Sequence, residues 1–205
     1  MEAPASSEKW SVAGLEKRPD LGAPQEMGPR SSLRPTPNGK WIEHVLYEFT
    51  GGKDGGQPWS GLILDSNGNL YGTTSEGGNS SDCAYSSCGL VFSLTSSANG
   101  VWKEHVLHAF TGKDGGGPLA NLVFDGGGNL YGTTSEGGVY RQGTVFKLTT
   151  DLNGKSTEDV LHQFPPGKGA GSPSAGLTFD SAGNLYGTTP VGGFYGKGTV
   201  FELAH

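Results

Sequence analysis

The sequence predicts an all-β chain built from three four-stranded repeats. The phrase D-x-x-G-N-L-Y-G-T-T occurs three times, beginning at Asp65, Asp125 and Asp180. Each copy follows an E-(H/D)-V-L-x-x-F run and precedes a G-(T/L)-V-F-x-L run, and Gly-rich segments separate these short apolar runs. Recurrence of the whole set of runs in one order is the signature of a repeat architecture.

The repeats occupy about residues 38–98, 99–152 and 153–205. In the second repeat the four strand-like runs read WKEHVLHAF, NLVFD, NLYGTT and TVFKLT. Glycines and an asparagine join the middle two runs, which is a β-hairpin signal. The 37 glycines of the chain fall largely at such repeated positions, which indicates turns rather than disorder. No window has a sustained helical period.

Composition excludes some classes of partner. The formal net charge is −6 and Lys and Arg form no cluster, which argues against a nucleic-acid partner. No apolar run approaches the length of a membrane span. Residues 1–37 do not repeat and are rich in Pro, Ser and charged residues, which is the composition of a tail. Their first ten residues, MEAPASSEKW, contain no apolar signal-peptide core.

The carboxylate that opens the repeated phrase is interpreted as a structural turn former at Asp65, Asp125 and Asp180. A carboxylate there can accept hydrogen bonds from backbone amides of the turn, and the glycine that follows supplies a positive φ. A calcium site is the alternative, because Ser66 and Asn67 bring further oxygen atoms close to Asp65. The second copy reads DGGG and loses those side chains, so the sequence favours the turn and predicts no metal.

The only two cysteines, Cys83 and Cys88, lie in one inserted loop of the first repeat. Their spacing allows a small disulfide-closed loop, which is typical of proteins in oxidising compartments. Two cysteines without an adjacent histidine offer too few ligands for a metal site. The sequence therefore predicts a disulfide and an extracellular or cell-surface location, with the signal peptide absent from this chain.

Candidate ligand-binding residues lie on the Gly-rich loops that follow the LYGTT runs. Aromatic side chains there can stack on sugars or peptides, or they can pack beneath the loop. A glutamate recurs at one loop position, but the third repeat has Val191 there, as drift on a solvated loop would also produce. The expected ligand-binding residues are Tyr85, Tyr140, Phe194, Tyr195, Glu76 and Glu136.

The histidines are interpreted as ordinary strand residues rather than metal ligands. They occupy equivalent positions of different repeats, at His44 and His105 and at His108 and His162, and would point apart unless they faced a central axis. No GxSxG, HExxH, P-loop or dinucleotide motif occurs. The sequence consequently identifies no catalytic residue and no cofactor.

The three copies of (L/I)-x-x-D-x-x-G-N-L-Y-G-T-T-x-x-G-G, each followed by the G-x-V-F-x-L run, resemble the GloVer tandem repeats of large bacterial proteins. The resemblance covers about residues 38–203 and implies a propeller-like fold, a surface or secreted location and no established enzymatic residues. A weaker likeness links the phrase to NHL-type and gluconolactonase-type propellers. Those repeats continue with V-x-D where this chain has GTT, so their metal ligands do not carry over.

The resemblance and the four strands per repeat favour a β-propeller with three blades per chain over a β-trefoil, which is the alternative. One blade then consists of LILD, LYGTT, GLVF and the EHVL run of the next repeat. The last blade lacks its outer strand, and the first EHVL run is left over. Because propellers typically have about four to eight blades, the sequence predicts a homodimer. Its six-bladed ring closes where residues 44–49 of one chain pair with residues 198–203 of the other.

The expected function is that of an extracellular binding or scaffold module whose loop-rim aromatics bind a glycan or a protein. The alternative is a propeller-type hydrolase or lyase acting on a carbohydrate or lactone, which would gather carboxylates or histidines at the mouth of the channel. A third possibility is a structural piece of a longer repeat protein.

Overall fold

The computed structural model describes residues 34–35, 39–78, 83, 88–167 and 169–204, and these residues form strands and turns but no helix. The strands are β1 (Arg34–Pro35), β2 (Trp41–Ile42), β3 (Ile63–Leu64), β4 (Leu70–Thr74), β5 (Leu90–Ser96), β6 (Trp102–Ala109), β7 (Val123–Phe124), β8 (Leu130–Thr134), β9 (Thr144–Thr150), β10 (Ser156–Gln163), β11 (Thr178–Phe179), β12 (Leu185–Thr189) and β13 (Thr199–Leu203). The all-β prediction is confirmed. Most of the predicted tail, residues 1–33 and 36–37, lies outside the described residues.

Three antiparallel sheets follow one another along the chain. Sheet 1 has the strand order β3-β4-β5-β6, sheet 2 has β7-β8-β9-β10, and sheet 3 has β11-β12-β13. Strands β1 and β2 form a separate pair. The fourth strand of sheets 1 and 2 is the EHVL or EDVL run of the following repeat, as the sequence predicts. Sheet 3 has three strands, and β13 has no strand on its outer edge within the described chain.

The first EHVL run, residues 43–49, differs from its equivalents β6 and β10. It pairs with no strand among the described residues. Its apolar side chains nevertheless pack on sheet 1, where Leu46, Tyr47 and Phe49 lie against a cluster formed by Leu90, Phe92 and Leu94. Strand geometry needs a neighbouring edge for its hydrogen bonds, and the described part of the chain places no such edge beside this run.

The hydrophobic core fills the spaces between successive sheets. Between sheets 1 and 2, Val91 packs in one cluster with Leu122 and Phe146. Between sheets 2 and 3, Val145 packs in the equivalent cluster with Leu177 and Phe164. The sheets therefore stack face to face, with sheet 2 packed on one side against sheet 1 and on the other against sheet 3.

The glycine that follows the repeated tyrosine is required by side-chain packing. A Cβ atom added to Gly132 would lie 2.6 Å from Cζ of Phe146, well inside van der Waals contact. Gly72 and Gly187 meet Phe92 and Phe201 in the same way. A glycine at this position predicts that another group lies close to its Cα atom. That group is a phenylalanine ring rather than backbone.

Among the described residues, no helix is long and apolar enough to cross a membrane.

Candidate functional site

The repeated hairpin is closed by an aspartate whose two carboxylate oxygens are both occupied. Oδ1 of Asp125 accepts hydrogen bonds from the amides of Gly127 and Asn129, each at 2.8 Å. Oδ2 accepts from Nδ2 of Asn129 at 2.7 Å and from the hydroxyl of Tyr131 at 3.1 Å. Burial alone would raise the pKa of Asp125, but these hydrogen bonds outweigh it and lower that pKa. These are the contacts of a turn former.

The same four donors surround the other two aspartates. In the first repeat they come from Asn67, Asn69 and Tyr71, and in the third from Ala182, Asn184 and Tyr186. The hydroxyl contact explains why the tyrosine recurs with the aspartate.

The two threonines of the repeated phrase connect the sheets to the loops. The second threonine donates to a loop carbonyl: Thr74 to Glu76 at 2.8 Å and Thr134 to Glu136 at 3.0 Å. The first threonine reaches the loop before the next sheet, since Thr73 donates to the Pro118 carbonyl at 3.1 Å. All three copies of the phrase therefore fix their own rim loop, and the first two also join their sheet to the next one.

The loop position held in this way carries a different side chain in the third repeat. Glu76, Glu136 and Val191 occupy equivalent places, and each forms a backbone bridge to a glycine of the preceding loop. The framework is thus constant while the side chain at the rim varies.

A cleft of about 470 Å³ opens at this rim between sheets 1 and 2. Its lining comes in equivalent pairs from the two repeats, namely Gln57 and Gly117, Trp59 and Leu119, Ser75 and Ser135, and Glu76 and Glu136. Trp59 is 70% exposed. The predicted residues Glu76 and Glu136 therefore converge on one cleft, although they come from different repeats.

Hydrogen bonds hold the exposed indole in place. Nε1 of Trp59 donates to Oε1 of Gln57 at 3.3 Å, and Nε2 of Gln57 donates to Oε1 of Glu76 at 2.7 Å. Gln57 has a φ of +52°, in the left-handed region, and its equivalent Gly117 has a φ of +59°. A glutamine thus occupies a position whose backbone favours glycine.

The predicted rim aromatics that the structure describes do not line this cleft. Tyr140, Phe194 and Tyr195 are exposed, and Phe194 packs edge to face on Tyr195 with 5.0 Å between ring centroids. Tyr85 lies outside the described residues. Their assignment as ligand-binding residues stays a prediction.

The predicted disulfide is confirmed, since Cys83 and Cys88 are bonded. Cys88 is fully buried in the cluster between sheets 1 and 2, with Cys83 packed against that cluster. The bridge therefore ties Cys83 to the core through Cys88.

A second group of polar side chains lies where sheets 1 and 2 meet. One ring nitrogen of His108 and one carboxylate oxygen each of Asp114 and Glu158 lie within 4.8 Å of one another. Nε2 of His108 is 3.1 Å from Oδ2 of Asp114. Oε1 of Glu158 is buried and has no hydrogen-bond partner among the described residues. Burial raises the pKa of Glu158 to about 7, with Asp114 and Asp159 adding to the rise and His108 opposing it.

An equivalent group in the preceding repeat contains a tyrosine in place of the histidine. There the hydroxyl of Tyr47 donates to Asp54 at 3.1 Å, and Glu104 has the same buried, unpartnered Oε1. The pKa of Glu104 is raised to about 7 by burial and by the charge of Asp54. The same arrangement at the junction between sheets thus forms with a tyrosine as well as with a histidine.

Reasoning from the sequence missed these two groups and Trp59. The histidine and the glutamate of one group come from different repeats, so alignment of repeats separates them. Trp59 gave one signal that could have been used, because it follows Pro58 where the other repeats have Leu119 and Ser174.

Comparison with known proteins places the chain in a family. A search of curated protein sequences finds no significant match. The model of the family described as Gloeobacter/Verrucomicrobia repeat matches residues 32–205, which is most of the chain and includes all three sheets. The family recognised from the repeated phrase is therefore confirmed: the chain belongs to the Gloeobacter/Verrucomicrobia repeat family.

Proposed function

We propose that this protein is a non-catalytic binding module whose three sheets are blades of a propeller, and that a second copy of the chain closes the ring. The observation that carries the proposal is a pair of apolar sheet faces, one at each end of the stack, that are exposed although their equivalents are buried. Separate four-stranded meanders stacked face to face also favour blades over a β-trefoil, whose units share one barrel.

The exposed face of sheet 3 is marked by Val200. It is 78% exposed, whereas the equivalent residues Val91 and Val145 are 0% exposed because the next sheet covers them. Thr188 is likewise exposed, whereas its equivalents Thr73 and Thr133 are buried. Sheet 3 thus presents the same surface that sheets 1 and 2 bury.

The exposed face of sheet 1 is its complement. Leu62 is 49% exposed, whereas its equivalents Leu122 and Leu177 are 3% and 8% exposed. In the internal junctions, Val91 shares a cluster with Leu122, and Val145 shares one with Leu177. Stacking sheet 3 of one copy on sheet 1 of the other would bring Val200 against Leu62 and repeat the same junction.

The open edge of sheet 3 also has a matching strand in the chain. In sheet 1, His105 lies opposite Ser93, and in sheet 2, Asp159 lies opposite Lys147. The same register places His44 of the unpaired run opposite Glu202 of β13. An exposed strand edge favours pairing with another chain, and this pairing would complete the fourth strand of sheet 3.

A ring of two chains satisfies both the faces and the edges. In such a ring, sheet 3 of each chain packs on sheet 1 of the other chain, so neither exposed face and neither open edge is left uncovered. Six blades lie within the usual range of about four to eight for propellers. The exposed hydrophobic surface that a single copy would leave is of the kind that marks an interaction site.

Ring closure would also rebuild the polar group at the junction. Glu158 lies opposite Leu148 in sheet 2 and next to His108 of the preceding sheet. In the proposed register Glu43 lies opposite Leu203, and therefore next to His162 of the other chain. Burial in the single chain already lowers the pKa of His162.

A binding function fits the contrast between constant framework and variable rim. The hairpin aspartate, its tyrosine and both threonines occur in all three repeats, whereas the exposed loop residues differ. Proteins that bind ligands commonly vary loops on a rigid scaffold in this way. The Cys83–Cys88 bond is compatible with an extracellular or cell-surface setting.

The proposed register is tested by cysteine cross-linking. His44→Cys with Glu202→Cys in one chain should give covalent dimers on mild oxidation. The matched control is Val45→Cys with Glu202→Cys, because a shift of one residue turns the side chain to the opposite face. Equal cross-linking of both pairs, or of neither, would refute the register.

The hydrolase or lyase alternative has one observation in its favour, the group formed by His108, Asp114 and Glu158. A carboxyl whose pKa is raised toward neutrality beside a histidine is a combination found in acid–base catalysis. Glu158→Gln should abolish any glycosidase or lactonase activity if the alternative holds. It should change only stability if the protein is the binding module proposed here.

A further inference from the structure

We infer that the cleft beside Trp59 binds a neutral pyranose oligosaccharide. This inference rests on the proposed binding function and names its ligand class and position. Of the loop-rim aromatics predicted from the sequence, Tyr140, Phe194 and Tyr195 do not line this cleft, so the site is a new one. Its lining combines one exposed aromatic face with hydroxyl, amide and carboxylate groups.

Trp59 supplies a flat apolar surface held in one orientation. Its side chain is 70% exposed, so the ring is available for contact. The hydrogen bonds from Trp59 to Gln57 and from Gln57 to Glu76 restrict its motion. A rigid, amphipathic ring loses little conformational entropy on binding, and the C–H face of a pyranose is an apolar surface of matching size.

The polar groups around the indole match sugar hydroxyls. Glu76 and Glu136 can accept hydrogen bonds from sugar hydroxyls. The single O–H of Ser75 and of Ser135 already donates to the backbone carbonyl of the facing loop, at Gln57 and Gly117, so each serine oxygen is left to accept further hydrogen bonds. Two carboxylates in one cleft repel uronic acids and phosphates, so the charge disfavours an anionic sugar.

The backbone at Gln57 belongs to the repeated turn. All three repeats have a positive φ here, +52° at Gln57, +59° at Gly117 and +49° at Ser172. What distinguishes the first repeat is the glutamine side chain, which accepts a hydrogen bond from Trp59, donates one to Glu76 and so orients the exposed ring.

Isothermal titration of the intact protein with cellohexaose, chitohexaose and maltohexaose tests the inference, with hexagalacturonate as the charged control. At least one neutral hexasaccharide should bind and hexagalacturonate should not. Trp59→Leu should weaken that binding at least about tenfold, as truncation of an aromatic hot spot does. The equivalent Leu119 shows that leucine fits this position, so the variant should keep its fold.

Two results would overturn the inference. One is the absence of binding to all three neutral sugars, and the other is unchanged affinity in Trp59→Leu. The variant Tyr195→Ala distinguishes failure of this inference from failure of the proposed binding function. If Tyr195→Ala abolishes sugar binding while Trp59→Leu does not, the protein is still a binding module but its ligand lies on the loop rim.

Discussion

The ring of Phe49 packs edge to face on the ring of Phe92, with 5.0 Å between their centroids. Phe110 makes the same contact with Phe146, and Phe164 makes it with Phe201. In the latter two pairs the first phenylalanine directly follows the outer strand of the preceding sheet. Phe49 therefore occupies the position of a residue from a preceding sheet, which in the proposed ring is sheet 3 of a second chain.

The contribution of this aromatic contact to stability can be measured at the junction between sheets 1 and 2. Phe110 is almost fully buried, so Phe110→Ala should lower the free energy of unfolding by about 3–5 kcal/mol. Denaturant unfolding of the variant checks the value. An effect below about 1 kcal/mol would show that the sheets are not held together by this core.

The hairpin aspartate should act on stability rather than on ligand binding. Asp125→Ala leaves four donors without their acceptor and should cost about 1–3 kcal/mol of unfolding free energy. Tyr131→Phe removes one donor only and should cost about 1 kcal/mol. Retention of the melting temperature together with loss of calcium binding in Asp125→Ala would refute the turn interpretation.

The disulfide should stabilise the inserted loop. Replacement of both Cys83 and Cys88 by alanine removes a short cross-link, and the loop-entropy model gives a loss of about 2 kcal/mol. Thermal unfolding of oxidised protein, reduced protein and the double variant makes the comparison. The mass of oxidised protein should be lower by two hydrogens than that of reduced protein, and two alkylatable thiols in oxidised material would contradict the bond.

The carboxyl of Glu158 should make stability depend on pH. Its pKa is about 7 in the folded protein and near the ordinary glutamate value of 4.5 when unfolded. Between these values the folded state retains a proton that the unfolded state has released. Stability from this group therefore falls as the pH rises from about 4.5 to 7.

Glu158→Gln isolates this contribution, since His162 titrates with a lowered pKa and acts in the opposite direction over part of the same range. The variant should gain stability relative to the parent protein at pH 8 but not at pH 4.5. Urea unfolding at the two pH values makes the measurement. Equal stability differences at both would show that the carboxyl is not held in its protonated form.

The backbone strain at Gln57 also has a measurable consequence. Gln57→Gly should raise the free energy of unfolding by about 1 kcal/mol or less, because relief of strain exceeds the added freedom of the unfolded chain. The reciprocal change Gly117→Gln should lower it, since a Cβ there would lie 2.9 Å from Oγ of Ser135. A loss of stability in Gln57→Gly would mean that the side-chain contacts outweigh the strain.

The framework of the fold could be predicted from the sequence because it is repeated. Apart from the first EHVL run, which forms no strand, the predicted runs form strands that pair in the predicted order, and the cysteine spacing predicted the disulfide. The family followed from the repeated phrase. Each of these depends on local patterns, in which Gly, Asn and alternating apolar residues determine turns and strands.

The candidate site was harder to predict because it is formed between repeats. Glu76 and Glu136 were noticed as equivalent residues, but their convergence on one cleft requires the stacking of sheets 1 and 2. His108 and Glu158 come together for the same reason. Trp59 occurs once, so a search for repeated residues passes over it.

The mass of the assembly tests the central claim most directly. Light scattering during size-exclusion chromatography at micromolar concentration should give twice the chain mass of 21.2 kDa. Deletion of residues 39–50 should reduce the mass to that of one chain, because it removes the strand proposed to complete sheet 3. A compact particle of one chain, or a series of larger open assemblies, would contradict the two-chain ring.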